Sequence, residues 1–504
     1  MTLKDLLAEK AKKYGKKTYL YWEDLEVSYE GMRQIARAVT HHLIERGIRK
    51  NDKVCALLYN RPEYVYCLYG VTGAGAVLVP INSQFKLDEA QYILKNSDAK
   101  ILITSPEFKD MAFAMKPHCP ELQEIIMLDE EIPGTSLFQE LLDPPKKFEE
   151  REVREEDIAG IIYTSGTTGY PKGVLLTHKN YLVNAAQIVS AAQMTEKDRF
   201  LCILPLFHVN GQLVTTLSPL YAGGSMILLK GFSPKEFLPR LARYRATAFS
   251  GVPTVYAILN NLPDAEQYDL SPLRFCICGA APMPVEVFET FERKYKANIL
   301  EGYGLSEGTC ASSINPLGGK RKIGSIGLPL EGQTLKIFDD QDRELPAGQI
   351  GEIVVQGENV MQGYYKNEPA TKETLRGGWL HTGDLGQVDE DGYFFIVGRK
   401  KEMIIRGGEN IYPKEIEEVL YRHPAVAEAA VVGLPDKIWG EEVGAFIVLK
   451  AGQELKAQEM IEYCQKHLAN YKCPRRVEFV ESFPKTATGK IQKNKIIDAY
   501  MKRS

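Results

Sequence analysis

Short apolar runs rich in Val, Ile and Leu alternate, through the first part of the chain, with segments whose apolar side chains recur at helical spacing. The runs at residues 54–58, 76–80, 101–104, 125–128, 158–163, 200–204 and 225–229 carry few polar positions, which predicts strands buried on both faces. Such strands, separated by amphipathic helices, make a mostly parallel α/β layered domain. Near residue 323 the pattern shifts: glycines, short strands at 334–338 and 352–356 and the turn Asp389-Glu-Asp-Gly392 replace long helices, predicting an antiparallel β subdomain. Near residue 400 it shifts again. A helix at 413–422, strands at 426–432 and 443–449, a helix at 455–467, a strand at 477–480 and a final helix make a small α+β domain of about 100 residues, enough to fold by itself. The predicted fold class is α/β: a large N-terminal domain of layered α/β subdomains plus a β subdomain over residues 1–400, and a small α+β C-terminal domain over 401–504. Residues 144–157, with two prolines and many charges, read as an exposed connection.

Length and composition narrow the function classes. At roughly 100–200 residues per domain, 504 residues allow about three structural units and a large buried core without disulfide or metal staples. A small binding module is excluded. The chain holds 62 basic and 66 acidic side chains, a net charge of −4, and no terminal basic cluster, so it has no electrostatic footprint for nucleic acid. Its nine cysteines are odd in number, scattered through apolar runs and without a CxxC pair, which reads as reduced thiols and a cytoplasmic protein. Cys276 and Cys278 fall on one face of a strand and read as buried thiols rather than metal ligands.

The N-terminus alternates charge with leucine and lacks the apolar core of a signal peptide. Residues 201–229 carry no Asp, Glu, Lys or Arg, a length that would span a membrane at about 20 residues. Pro205, His208, Asn210, Gly211, Gln212, Pro219 and the Gly223-Gly224 pair break that reading. A strand, a loop and a helix in a large core is expected instead, with no transmembrane segment.

The segment Tyr163-Thr-Ser-Gly-Thr-Thr-Gly-Tyr-Pro-Lys-Gly173 follows an apolar strand and concentrates glycines, hydroxyls and one lysine. Exposed backbone amides, hydroxyl donors and a mobile cation suit a polyphosphate. It is not a Walker A loop, because GxxxxGK[ST] cannot be fitted.

This segment resembles the phosphate loop of the adenylate-forming superfamily, which includes acyl-CoA synthetases, free-standing adenylation domains and firefly luciferase. The superfamily's other motifs follow in order over nearly the whole chain: Pro205-Leu-Phe-His208, Gly279-Ala-Ala-Pro282, Glu301-Gly-Tyr-Gly-Leu-Ser-Glu307, Trp379-Leu-His-Thr-Gly-Asp384, Gly398-Arg-Lys-Lys-Glu-Met-Ile-Ile-Arg-Gly-Gly-Glu-Asn410 and Pro484-Lys-Thr-Ala-Thr-Gly-Lys490.

The resemblance implies an enzyme that uses ATP, Mg²⁺ and coenzyme A, with catalytic roles for Lys490, His208 and Glu307. Nucleotide and CoA contacts are expected from Thr164, Ser165, Gly166, Thr167, Thr168, Gly169, Lys172, Gly279, Ala280, Ala281, Glu301, Gly302, Tyr303, Gly304, Ser306, Asp384, Arg399, Lys401, Gly407, Gly408 and Trp439. Thr164 and Glu307 would hold the metal, whose hardness suits oxygen ligands. Tyr303 would stack near adenine, and Asp384 and Arg399 would meet the ribose. Ser306 stands where Thr is commoner and keeps the hydroxyl. The acid would be met by His208, Phe249, Cys278 and Gly304. Lys490 would stabilise charge building on the α-phosphate during carboxylate attack. The C-terminal domain would then rotate about Lys401 to present the Gly407-Gly408 face to the thiol. The Tyr364-Tyr365 pair and Met283, Met361 and Met403 read as packing.

Within the superfamily, amino-acid-activating members carry an Asp in a Phe-Asp motif. Here the sequence reads Phe249-Ser-Gly-Val-Pro-Thr254, leaving a substrate ammonium without a counter-charge. This wording, with Leu300-Glu-Gly-Tyr-Gly-Leu-Ser-Glu307, is similar to bacterial fatty acyl-CoA synthetases. The expected reaction is activation of a medium- or long-chain fatty acid as its acyl-adenylate and transfer to CoA. The alternatives are an aryl or branched acid, a luciferase-like monooxygenase sharing every motif, and a catalytically silent homologue, which the intact Lys490, Glu307, Asp384 and Arg399 disfavour. Expected partners are the small-molecule acid, ATP and CoA, with a homodimer left open.

Overall fold

A computed structural model describes residues 1–145, 148, 150–164, 171–263, 265–281, 283–485 and 491–502. Two large sheets face one another across a shared core. One has nine strands, with Asn298–Tyr303, Phe275–Cys278, Ala248–Gly251, Arg199–Cys202, Ser225–Leu228 and Thr18–Trp22 running parallel and antiparallel strands at both edges. The other has eight, with Ile158–Thr164, Val77–Pro80, Lys53–Leu57, Ala99–Thr104 and Glu124–Met127 parallel, and Lys172–Thr177 and Gly363–Tyr364 added antiparallel. The apolar runs in the sequence form these strands because both of their faces are covered. Alternate residues such as Phe200, Ile277, Leu78 and Ile162 enter the shared core with helices Leu3–Tyr14, Tyr29–Glu45, Pro62–Gly73 and His178–Ala191. The other faces pack under separate helices, Pro234–Arg243, Pro253–Asn260 and Val285–Tyr295 on one sheet and Leu87–Asn96 and Lys109–Met115 on the other.

The uncharged stretch 201–229 is buried at the heart of this layering. It comprises the end of Arg199–Cys202, helix Val209–Gln212, a π-helical segment Leu213–Leu217, helix Ser218–Ala222 and strand Ser225–Leu228. No helix among the described residues is long and apolar enough to cross a membrane. All nine cysteines are free, and Cys276 and Cys278 share one sheet face as their spacing predicts.

The β subdomain is a four-stranded antiparallel sheet, Gln333–Phe338, Gly351–Gly357, Leu380–Val388 and Phe394–Arg399. The small C-terminal domain has a sheet built on the hairpin Val426–Asp436 and Gly440–Leu449. Helices Pro413–Tyr421 and Ala457–His467 lie against one of its cores and helix Lys493–Met501 against another. Both hairpin strands run past their predicted bounds, because Asp436 Oδ1 accepts the amides of Ile438 and Trp439 at 2.8 Å and closes a tight turn that keeps Pro435 paired with Glu441.

Candidate active site

In parallel sheets the carboxyl ends of strands open toward loops and helix N-termini, which is where such folds bind ligands. Here the carboxyl ends of four neighbouring parallel strands lead into residues 203–208, Gly251, Gly279–Ala281 and Gly302–Glu307. The carboxyl end of Ile158–Thr164, in the facing sheet, is Thr164, whose partner across the hairpin is Lys172. The intervening Ser165, Gly166, Thr167, Thr168 and Gly169 lie outside the described residues.

The turn after Asn298–Tyr303 serves two clusters. On one side the Tyr303 hydroxyl donates to Asp384 Oδ2 at 2.7 Å, while Arg399 Nε meets Asp384 Oδ1 at 2.9 Å. Asp384 and Arg399 are direct cross-strand partners, so sheet register sets the ion pair. The Asp384 side chain is 6% exposed and that of Arg399 is 43% exposed, which leaves the guanidinium facing outward above a buried carboxylate. The Asp384 charge holds the Arg399 guanidinium above its ordinary value against the cost of burial, and burial pushes the Tyr303 phenol well up. Tyr303 is therefore a neutral donor and Arg399 a fixed cation at neutral pH.

On the other side Glu307, in the short helical turn Ser306–Gly308, accepts the Tyr364 hydroxyl on Oε1 at 2.7 Å. Lys172 Nζ stands 4.9 Å from the centre of the Tyr364 ring, a cation–π distance. Tyr364 itself pairs with Val174 on the strand that Lys172 opens. Glu307 is thereby linked through Tyr364 to Lys172 and to Thr164, its cross-strand partner. Tyr364, read from the sequence as packing, is a residue that sequence reasoning missed. Its hydroxyl partner lies far along the chain, and no local pattern announces it.

The oxygen donors of Thr164 and Glu307 are of a kind that fits a hard divalent cation, and the Lys172 ammonium is of a kind that fits a phosphate. Ala280 adopts a left-handed φ of 69°, a conformation costly for a residue with a Cβ, two residues after the strand end at Cys278.

His208 caps helix Val209–Gln212, its carbonyl accepting the Gln212 amide at 3.2 Å. Burial pushes its imidazole down to about 4, so it is neutral at physiological pH, and its Nε2 is buried without a hydrogen-bond partner among the described residues. Two residues that the motifs do not flag hold this loop. Asn60 Nδ2 donates to Leu204 O at 3.0 Å and its Oδ1 accepts Leu206 N at 2.8 Å. Gln212 Nε2 donates to Leu206 O and to the Tyr64 hydroxyl, both at 3.0 Å, and its Oε1 accepts the Tyr181 hydroxyl at 2.8 Å.

Four residues expected at the acid and nucleotide contacts take the following places in the structure. Phe249 and Cys278 are fully buried in the aromatic core with Tyr256, Phe237 and Phe291, on the sheet face away from the shared core. Strand alternation sends Ser250 and Ile277 the other way, and the Ser250 hydroxyl is buried without a partner among the described residues. Gly304 is a glycine because of its own chain: a Cβ there would lie 1.7 Å from Cys310 O. Glu301 is 4% exposed and tucked beneath the Met283 amide. Burial pushes its carboxyl up to about 7, and Oε2 has no partner among the described residues.

In the C-terminal domain, Lys401 sits in the turn Lys400–Glu402 directly after Arg399. Gly407 and Gly408 are exposed, with φ of 59° and 92°. A Cβ on Gly407 would meet the Trp439 ring at 2.7 Å, whereas at Gly408 the space is open. The Arg406 guanidinium covers the Trp439 ring at 4.7 Å. Lys490 lies outside the described residues, between Lys485 and Ile491, which form a bridge.

The AMP-binding enzyme family model matches residues 7–365, and that of the AMP-binding enzyme C-terminal domain matches residues 415–490. A long-chain-fatty-acid–CoA ligase of Bacillus subtilis (strain 168) is 36% identical, covering 99% of this chain and 94% of that protein. A sulfoacetate–CoA ligase of Cupriavidus necator is 35% identical, covering 99% and 97%. The structure of the anthranilate CoA ligase AuaEII with anthranoyl-AMP superposes with a TM-score of 0.94 at 33% identity, covering 100% and 98%. MatB from Rhodopseudomonas palustris, 32% identical with 99% of both chains covered, superposes at 0.92 in its ATP-bound form and 0.80 in its apo form. With the motif-bearing loops gathered at the strand ends and such relatives over the full length, the chain belongs to the AMP-binding, adenylate-forming family and is an AMP-forming acid–thiol ligase that uses ATP and CoA.

Proposed function

We propose that this ligase activates a medium- or long-chain fatty acid. The observation that carries this reading is the composition of the segment bearing His208. Residues 201–229 have no charged side chain, and His208 is neutral because it is buried. A second anionic group on the substrate, as in sulfoacetate, would be desolvated there without a counter-charge. An apolar tail carries no such cost. The test is pyrophosphate release with CoA across a panel of carboxylic acids. Highest kcat/KM for fatty acids supports the reading; a preference for sulfoacetate or an aryl acid overturns it.

For the chemistry, Thr164 and Glu307 would hold Mg²⁺, which supplies neutralising charge on the phosphate oxygens. Arg399 and Asp384 orient the nucleotide's sugar, and Tyr303 fixes the Asp384 carboxylate. His208 offers a neutral imidazole to the acid's carboxylate, and Lys490 supplies the ammonium for the charge that develops at the α-phosphorus.

Residues 1–400 bind ATP and the acid, and residues 401–504 turn about Lys401 between adenylation and thioester formation. The higher TM-score against ATP-bound than apo MatB, with Gly408 and Trp439 exposed, supports assigning this arrangement to the adenylate-forming step. Lys490→Ala should abolish acyl-adenylate formation and spare thioester formation from preformed acyl-adenylate. Equal loss in both half-reactions would remove the assigned role.

A further inference from the structure

Three elements of the C-terminal domain converge on one ammonium. Lys493, the first residue of helix Lys493–Met501, places Nζ 2.7 Å from Glu417 Oε1 and 3.3 Å from Glu402 Oε2. Glu417 belongs to helix Pro413–Tyr421, and its Oε1 also accepts the Val431 amide at 2.8 Å, which fixes that carboxylate to the sheet. Glu402 belongs to the turn Lys400–Glu402, next to Lys401. The side chains of Lys493, Glu417 and Glu402 are 18%, 17% and 31% exposed, so the cluster is largely shielded from water. Burial alone would lower the Lys493 pKa, yet the two carboxylates hold it above its ordinary value.

The described residues on either side of Lys490 are joined to one another. Lys485 bridges Ile491, and the Gln492 amide donates to Pro484 O at 2.8 Å. Lys493 follows Gln492 directly and ties these flanking residues to the turn at residue 402. A surface lysine bound to one carboxylate would be an ordinary ion pair of little value. One cation shared between a carboxylate fixed to the sheet and a carboxylate on the turn beside Lys401 is instead a mechanical link.

We propose that Lys493 is a positioning residue for the adenylation half-reaction: by bridging Glu417 and Glu402 it holds Ile491 and Gln492, the described residues that follow Lys490, in fixed relation to the turn about which the domain moves. The proposal rests on the roles given above to Lys490 and Lys401. Misplacing a catalytic group by about 1 Å can cost on the order of a hundredfold in rate, so the link should be visible in one half-reaction.

The full-length enzyme is assayed for acyl-adenylate formation by pyrophosphate release, and separately for thioester formation from preformed acyl-adenylate and CoA. Lys493→Met should slow the first by roughly ten- to a hundredfold and leave the second within about twofold. Lys493→Arg, which keeps the charge, should recover most of the loss. Glu402→Gln, which retains the Glu417 pair, should give a smaller loss with the same selectivity, and it decides the matter if Lys493→Met does not fold. Equal loss in both half-reactions, or wild-type adenylation in Glu402→Gln, overturns the proposal. Lys490→Ala run alongside separates the failures. If it impairs adenylation while the Lys493 and Glu402 variants do not, only the link is wrong; if it has no effect, the underlying assignment is.

Discussion

Replacing Gly304 with alanine distinguishes a glycine kept for ligand approach from one kept for chain packing. The new Cβ would stand 1.7 Å from Cys310 O, 2.6 Å from Cys310 C and 2.8 Å from Ala311 Cα, all backbone atoms. Reaching even a tight contact needs a retreat of about 1.3 Å, which no side-chain rotation can supply. The segment cannot yield freely. Ala311 is clamped on both sides by Asn184, whose Oδ1 accepts its amide at 3.0 Å and whose Nδ2 donates to its carbonyl at 2.7 Å. Ser312 N donates to Tyr303 O at 2.8 Å. Overpacking at about 1–3 kcal/mol plus one disturbed buried hydrogen bond at about 1–3 kcal/mol suggests a loss near 4 kcal/mol. At roughly 2 °C per kcal/mol for a large domain, Tm should fall by about 8 °C. Adenylate formation should fall with it, because Tyr303 and Glu307 flank the shifted turn. Gly302→Ala is the control, since its Cβ would meet Ser313 O at 3.1 Å and needs only a small adjustment. A Gly304→Ala enzyme with wild-type Tm and a defect confined to substrate KM would refute the packing argument.

Other perturbations probe the two clusters and the buried imidazoles. Asp384→Asn removes the charged acceptor of Tyr303 and Arg399. At about 1.5–3 kcal/mol per charge-assisted bond, kcat/KM for ATP should drop by on the order of a hundredfold, and unchanged ATP saturation would take Asp384 out of the nucleotide site. Tyr364→Phe keeps the ring under Lys172 but leaves Glu307 Oε1 without its 2.7 Å donor. A Mg²⁺ titration of adenylate formation should shift severalfold, by roughly 1 kcal/mol, and a superimposable curve would show that the hydroxyl does not orient Glu307. His178 is fully buried, and burial lowers its pKa from 6.5 to about 4. The unfolded chain therefore binds the proton more tightly, and this contribution, intact above pH 6.5, is lost as pH falls toward 4. Between pH 6.5 and 5 it amounts to about 2 kcal/mol. Urea midpoints at pH 7 and pH 5 should differ less in His178→Gln than in the wild type, and an equal difference would assign the acid sensitivity elsewhere.

Much of the site was legible because its residues sit in short local motifs. Gly302 to Glu307 and the Thr-Gly turn before Asp384 are each set by neighbouring residues, and motif order suffices to place them in one enzyme. Tyr364, Asn60 and Gln212 were not legible. Each acts through a single hydrogen-bonding atom whose partner is distant in sequence, and a tyrosine, asparagine or glutamine carries no periodic signal for that. Which way Phe249 faces was not legible for a related reason. It stands in a recognisable motif, but strand alternation gives that motif two faces, and the neighbouring Ser250 is the residue turned toward the shared core.

The sequence by itself determined the strands, the change from parallel α/β to antiparallel β to a small α+β domain, and the family. Apolar periodicity and turn chemistry are local, and the motifs survive as contiguous words. Tertiary structure decided which side chains meet: the cross-strand register that sets Arg399 on Asp384, the turn that hands Glu307 to Tyr364, and the Lys493 bridge between two helices and the turn at residue 402. Those contacts depend on sheet register and on the packing of remote elements, because hydrogen bonds and ion pairs act only at contact distance and the chain must fold before such partners exist.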